Sequence, residues 1–230
     1  VVTEAIDKKL NNDNGPKVLP FTLDDRQGEG AWVADNQIQI QINQNKFTMT
    51  INELALQGKH NQYNTMAAGI SGKLLGLNNE NIRESFSDFT TLEHRLEFVA
   101  QVHGIEFIND SKATNVNSTW YALESQTKPV IWIVGGIDKG NDYSLITDLV
   151  KKKVKAIVCL GKDNTRIQQA FSKLVDIVVN TESMRDCVEM AYRLGNNGDV
   201  VLLSPACASF DLFENFEDRG NQFKARVREL

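Results

Sequence analysis

Val130-Ile131-Trp132-Ile133-Val134-Gly135-Gly136-Ile137-Asp138-Lys139-Gly140 decides the fold. Apolar residues, mostly β-branched, follow one another from 130 to 134 without alternation, and a glycine pair stops them. Alternation would mark a strand with one wet face; an unbroken run marks a strand buried on both faces, as in a parallel sheet covered by helices. Outward from this run, short apolar stretches recur at residues 107–109, 156–160, 177–179 and 200–203. Between them, residues 118–125, 145–152, 165–174 and 184–194 carry helical patterns. Strands alternating with helices at this spacing predict an α/β fold with a mostly parallel sheet over the second half of the chain.

The first half reads differently. Ile38, Ile40 and Ile42 alternate with glutamines and Phe47, Met49 and Ile51 with threonines, while Asp35-Asn36 and residues 43–46 break the runs. That is the pattern of antiparallel hairpins with one wet face. From about residue 61 the period lengthens: Tyr63, Met66, Ala67, Ile70, Leu74 and Leu75 fall on one side of a helix. A second short helix is expected at 79–86 and a linker at 88–93, which places a domain boundary between residues 1–90 and 91–230.

The chain has 230 residues, 41% hydrophobic and 24% charged, enough for two domains with cores of their own. Thirty acidic against 25 basic side chains give a net charge of −5 without a basic block, which excludes counterion-driven nucleic-acid binding. The 130–134 run is far short of the ~20 residues of a bilayer-spanning helix, so a soluble chain with no membrane partner is expected. Cys159, Cys187 and Cys207 are odd in number and form no CxxC pair, which fits a reducing compartment, the cytoplasm. His60, His94 and His103 stand at no zinc spacing with them, so no metal site built by protein ligands is expected. Val1 opens the chain without a methionine, and a piece of a longer protein is expected.

In an open parallel sheet, ligands bind beyond the carboxyl ends of the strands. Here those ends lead into residues 110–115, 135–140, 161–164 and 204–209, three of which contribute a lysine, Lys112, Lys139 and Lys162. Lysines beside hydroxyls and helix N-termini make an anion site. Lys112 is the strongest candidate, lying between Asp110 and Thr114 where Asn115 or Asn117 can cap the following helix. Lys162 reads as a solvated loop lysine, and Gly135-Gly136, without a GxGxxG, as a tight turn as readily as a phosphate cradle. Cys207 reads as a small buried filler, with no histidine nearby in sequence. His60 and His94 are open between structural and functional roles.

Five segments in order resemble the Mur ligase family: Gly58-Lys59-His60-Asn61-Gln62-Tyr63-Asn64; Glu93-His94-Arg95-Leu96-Glu97; Asn109-Asp110-Ser111-Lys112-Ala113-Thr114-Asn115; Gly135-Gly136-Ile137-Asp138-Lys139; and Ser204-Pro205-Ala206-Cys207-Ala208-Ser209-Phe210-Asp211 with Asn215-Phe216-Glu217-Asp218-Arg219-Gly220. The third and fifth favour the member that adds D-glutamate. The resemblance implies that residues 1–90 are the back part of a central ATPase domain, a hairpin-and-helix remnant. It implies that residues 91–230 are a Rossmann-like C-terminal domain that brings in the amino acid. The implied reaction uses ATP and Mg2+ to phosphorylate the carboxylate of UDP-N-acetylmuramoyl-L-alanine; D-glutamate then attacks the acyl phosphate, in peptidoglycan precursor synthesis. A monomer is expected.

Residue by residue, the resemblance places Asn61 and Asn64 against adenine and Arg95 and Asp110 against the ribose and phosphate side, with His60 near the nucleotide or Mg2+. Lys112, Thr114, Lys139, Ser209 and Phe216 match D-glutamate binders, with Phe210 contributing backbone; Lys112 and His60 are the candidate catalytic residues. A dicarboxylate with a reactive amine needs cations and hydroxyls that leave the amine free, and this set supplies them. One departure matters: no G-x-x-x-x-G-K-[ST] phosphate loop occurs anywhere, and no UDP-sugar domain is present, so most Mg2+ ligands are expected outside this chain and the chain alone is expected to be inactive. The competing readings are another amide-bond ligase of the same family and a non-catalytic nucleotide- or partner-binding module. A dinucleotide oxidoreductase lacks its fingerprint here.

Overall fold

The computed structural model describes residues 17–89 and 92–230. The chain divides into two compact units, residues 1–90 and 91–230. In the first unit, β2 (Gly30–Ala34), β3 (Gln37–Ile42) and β4 (Asn45–Thr50) form an antiparallel meander, with β1 (Phe21–Thr22) added parallel to β2. Asp35 and Asn36 both take positive φ, 51° and 59°, the geometry of a type I′ hairpin turn. Ile38, Ile40 and Ile42 bury one face of β3 under α1 (Lys59–Leu74) and α2 (Asn79–Ser87), whose Met66, Ile70 and Ile82 complete that core. A Cβ on Gly69 would stand 2.2 Å from Ile40 Cδ1, so the helix needs glycine there to lie on the sheet.

The second unit is built on the 130–134 run. It becomes β7 (Val130–Gly135), central in a six-stranded sheet of order β5-β6-β10-β7-β8-β9. The remaining strands are β5 (Glu97–Val102), β6 (Ile105–Asn109), β8 (Val154–Leu160), β9 (Val178–Thr181) and β10 (Val200–Ala206). All pairings are parallel except that of β5 with β6. Val130, Trp132 and Val134 enter one core, with α3 (Val116–Ser125), α4 (Thr147–Lys153) and α5 (Thr165–Phe171). Ile131 and Ile133 enter another, on the opposite face, with α6 (Met184–Leu194) and α7 (Phe216–Val227). An unbroken apolar run is what a strand between two helical layers demands.

Two elements differ from the sequence expectation. Strand β5 closes the edge as an antiparallel hairpin with β6 through His103 and Gly104, at φ 48° and 81°. Helix α7 lacks a clean apolar stripe because its inner face carries Arg219, Gly220 and Lys224 beside Phe223 and Val227. The expected linker at 88–93 begins where α2 ends; residues 90 and 91 lie outside the described residues.

The topology fixes where a ligand can enter. The exit of β10 leads to α7 on one face, whereas its neighbours β6 and β7 exit toward α3 and α4 on the other. Strand ends that diverge in this way open a crevice on each side of β10.

Candidate functional site

In the first unit, Gly58 at φ 93° turns the chain into α1. Asn61 donates from Nδ2 to the Gln57 carbonyl at 2.9 Å, which ties its amide back to the segment before the helix. Asn64, one turn further, is exposed. His60 is the second residue of α1, and its side chain lies outside the described residues.

In the second unit Lys112 and Phe216 meet beside β10, while Ser209 and Lys139 lie in the loops after β10 and β7. After β6 the chain turns through buried Asp110 and Ser111 to exposed Lys112, and Asn115 caps α3 by accepting from the Ser118 amide at 2.9 Å. Lys112 donates its amide to the His94 carbonyl at 3.0 Å, and its Nζ stands 3.7 Å from the centre of the Phe216 ring. Ser111 donates from Oγ to the Phe216 carbonyl at 2.8 Å, across 105 residues of sequence. Ser209 is 2% exposed and its hydroxyl has no hydrogen-bond partner among the described residues, while the neighbouring Phe210 ring is 65% exposed. Thr114 is half-buried and Lys139 exposed, each with its polar end unpartnered among the described residues.

The glycine pair has a backbone reason. Gly135 and Gly136 have φ of 139° and 122°; a Cβ would lie 2.4 Å from the Leu160 carbonyl oxygen at the first and 2.2 Å from the Ala208 carbonyl oxygen at the second. They are there for the close approach of three strand ends. Asp138 next holds the loop: burial opposes its charge, but the Asn141 amide, the Tyr143 hydroxyl, the Gly140 amide and Arg166 hold its carboxyl below the usual range. Ala206 at φ 58°, His94 at 65° and Leu96 at 45° are left-handed without being glycine. Such residues cost on the order of 1–3 kcal/mol each and gather at functional sites.

Lys162 faces elsewhere. It lines a concavity of about 640 Å³ with Glu182, Asp186 and Arg193, although its amide donates to the Asp211 carboxylate at 3.2 Å and so ties this loop to the one after β10. Burial pushes the Cys207 thiol up, which leaves it a packed filler rather than a nucleophile. Among the described residues no group of three His, Cys, Asp or Glu side chains suits a metal ion, so the Mg2+ that the resemblance implies finds no such set here.

Asp110 is only 7% exposed, accepting from Ser204 Oγ at 2.9 Å and the Leu96 amide at 3.3 Å. Burial raises its pKa to about 7, with those two hydrogen bonds and Arg95 pulling the other way. An acid whose native pKa is raised favours folding below its unfolded pKa, and that support is lost as pH rises to the native value. The advantage in melting temperature of Asp110→Asn over the unaltered chain should therefore grow from about pH 4 to about pH 7 and level off above. Thermal melts across that range check it; a difference independent of pH would assign Asp110 no such cost.

Two residues that the sequence left without a role organise the crevice. Arg219, 1% exposed on α7, donates to Ser111 and to the Cys207 carbonyl, and burial lowers its pKa to about 10. Ser111 relays the contact to Phe216. The arginine's position one residue before a helix-interior glycine was the available signal: Gly220 admits His94, whose Nδ1 a Cβ would meet at 2.2 Å.

A cation, a buried hydroxyl and an aromatic ring thus lie at the carboxyl ends of a mostly parallel α/β sheet, the place where ligands enter such folds. The family profile described as Mur ligase, glutamate ligase domain, matches residues 94–207, and the chain belongs to the Mur ligase family. It is 55% identical over 92% of its length to the UDP-N-acetylmuramoylalanine--D-glutamate ligase of Christiangramia forsetii, and 53% identical over 93% to the ligase of that name from Bacteroides thetaiotaomicron. Each match takes in 48% of the relative, so the chain spans about half the length of the curated relatives it matches. In fold it is similar to MurF from Acinetobacter baumannii, with a TM-score of 0.64 and 18% identity over 88% of this chain and 46% of that one.

Proposed function

We propose that this chain is part of an ATP-dependent, ADP-forming ligase that joins D-glutamate to UDP-N-acetylmuramoyl-L-alanine through an acyl phosphate, in the cytoplasm. Residues 91–230 are the domain that presents D-glutamate, and residues 1–90 belong to the central domain that holds ATP. The observation that carries this reading is the meeting of Lys112 and Phe216 beside β10, with Ser209 buried in the loop that follows that strand. A lysine gives one carboxylate a point charge, and a serine hydroxyl gives a directional donor. Thr114 and Lys139 serve the second carboxylate, leaving the amine unblocked. In the first unit the side-chain amides of Asn61 and Asn64 are the candidates for an adenine edge; in the second, Arg95 and Asp110 are the candidates for the ribose and phosphate side.

Titration of the chain by D-glutamate, L-glutamate and ATP, followed by amide NMR shifts, tests the reading. D-glutamate should move Lys112, Thr114, Lys139, Ser209 and Phe216 more than L-glutamate does, and ATP should move Asn61, Asn64 and Arg95. Equal response to both glutamate enantiomers would remove the D-amino-acid assignment.

A further inference from the structure

We propose that Arg219 is the positioning residue of the amino-acid pocket, its buried guanidinium clamping the loop after β6 to the loop after β10 and so fixing Lys112, Ser209 and Phe216 relative to one another. The inference rests on the D-glutamate reading given above. Its geometry does not. Arg219 donates from Nε to Ser111 Oγ at 3.0 Å, from Nη2 to the Ser111 carbonyl at 2.9 Å and from Nη1 to the Cys207 carbonyl at 3.2 Å. Ser111 Oγ in turn donates to the Phe216 carbonyl at 2.8 Å. One side chain thus reaches the residue before Lys112, the residue two before Ser209, and through Ser111 the backbone of Phe216.

No carboxylate among the described residues lies within ion-pair distance of Arg219. Its partners are two carbonyls and a hydroxyl, all neutral. The Asp211 carboxylate acts on it only from beyond ion-pair distance, and a buried charge so weakly compensated is a poor source of stability, where apolar packing of the same volume commonly serves a core better. What an arginine supplies that a methionine or a lysine does not is a rigid planar fork, able to hold acceptors on two separate loops at once. The loop after β10 leaves from left-handed Ala206, at φ 58°, and the loop after β6 is bonded through the Lys112 amide to His94, itself left-handed at 65° in the segment before β5. The guanidinium is therefore placed where two loops, each joined to a left-handed residue, must be kept at one spacing.

The test uses Arg219→Lys, which keeps the charge and loses the fork, in two settings. In this chain, amide hydrogen exchange is read at Lys112 and Ala208, bonded to the carbonyls of His94 at 3.0 Å and Ile137 at 3.2 Å. Exchange at both should quicken by about tenfold or more while the amides of β7 keep their protection. In a full-length ligase carrying the same substitution, the Michaelis constant for D-glutamate should rise about tenfold and that for ATP stay within about twofold. Ser111→Ala should act in the same direction, and the double variant should fall well short of the two effects combined, because the side chains share one network. Should Arg219→Lys fail to fold, Ser111→Ala read at Lys112 and Ala208 carries the test.

Unchanged exchange at Lys112 and Ala208 in a folded variant overturns the clamp and leaves the D-glutamate reading standing. Loosened loops with an unmoved constant for D-glutamate overturn the proposal from the other side, and with it the assignment of this crevice to the amino acid. An equal rise in both Michaelis constants overturns it as well, since general loosening of the domain then accounts for the result.

Discussion

In a full-length ligase, Lys112→Ala should raise the apparent Michaelis constant for D-glutamate by roughly tenfold to a hundredfold and leave that for ATP much less changed, since a charge-assisted hydrogen bond is worth roughly 1.5–3 kcal/mol. Lys112 is exposed at its charged end and is held over the Phe216 ring at 3.7 Å rather than neutralised by a carboxylate, so its charge is available to a ligand. The cation–π contact contributes about 0.5–1 kcal/mol at an exposed site, less than the ligand contact, and its loss alone does not account for so large an effect. Steady-state kinetics with each substrate varied in turn provide the measurement. Asn64→Ala is the control, with the reverse pattern expected: ATP weakened and D-glutamate little affected. If Lys112→Ala weakens ATP and spares D-glutamate, the lysine serves the phosphate end and the carboxylate contacts pass to Lys139 and Thr114.

The parts of the fold legible in the sequence are those where one physical requirement dominates. Burial on both faces requires an unbroken apolar run, and residues 130–134 supplied the central strand. A type I′ hairpin turn takes two positive φ angles, which aspartate and asparagine tolerate, and Asp35-Asn36 marked it. Where two requirements compete, the pattern blurs. Helix α7 must present Arg219 and Lys224 inward as well as Phe223, so its apolar stripe is interrupted by the residues that give it a role. Strand β5 is an edge strand with Phe98 facing outward, and only His103-Gly104 signalled its return into β6. Sequence order placed Lys162 with Lys112 and Lys139 because all three follow strand ends. Its backbone stays joined to the loop after β10 through the Asp211 carboxylate, while Lys162 also lines a concavity with Glu182, Asp186 and Arg193, a second environment that sequence order does not reveal.

The chain by itself should release no phosphate from ATP that depends on D-glutamate and UDP-N-acetylmuramoyl-L-alanine together. Phosphoryl transfer leaves a protein little covalent chemistry to do; catalysis comes from holding the phosphates in line and neutralising charge as it spreads over the transferring group. A glycine-rich loop with its lysine and metal-binding hydroxyl commonly does this, and no G-x-x-x-x-G-K-[ST] occurs in these 230 residues. The described residues also bring together no set of three side chains suited to a metal ion. Binding and chemistry are therefore expected to separate: the crevice beside β10 depends on Lys112, Ser209, Phe216 and the loops that Arg219 joins, all within residues 91–230, and should still take D-glutamate while turnover is absent. A coupled phosphate-release assay with both substrates present and each withheld in turn is the measurement. Release above background that requires both would show that the residues present suffice to activate the carboxylate, and the phosphate cradle would then have to be sought among the loops of this chain.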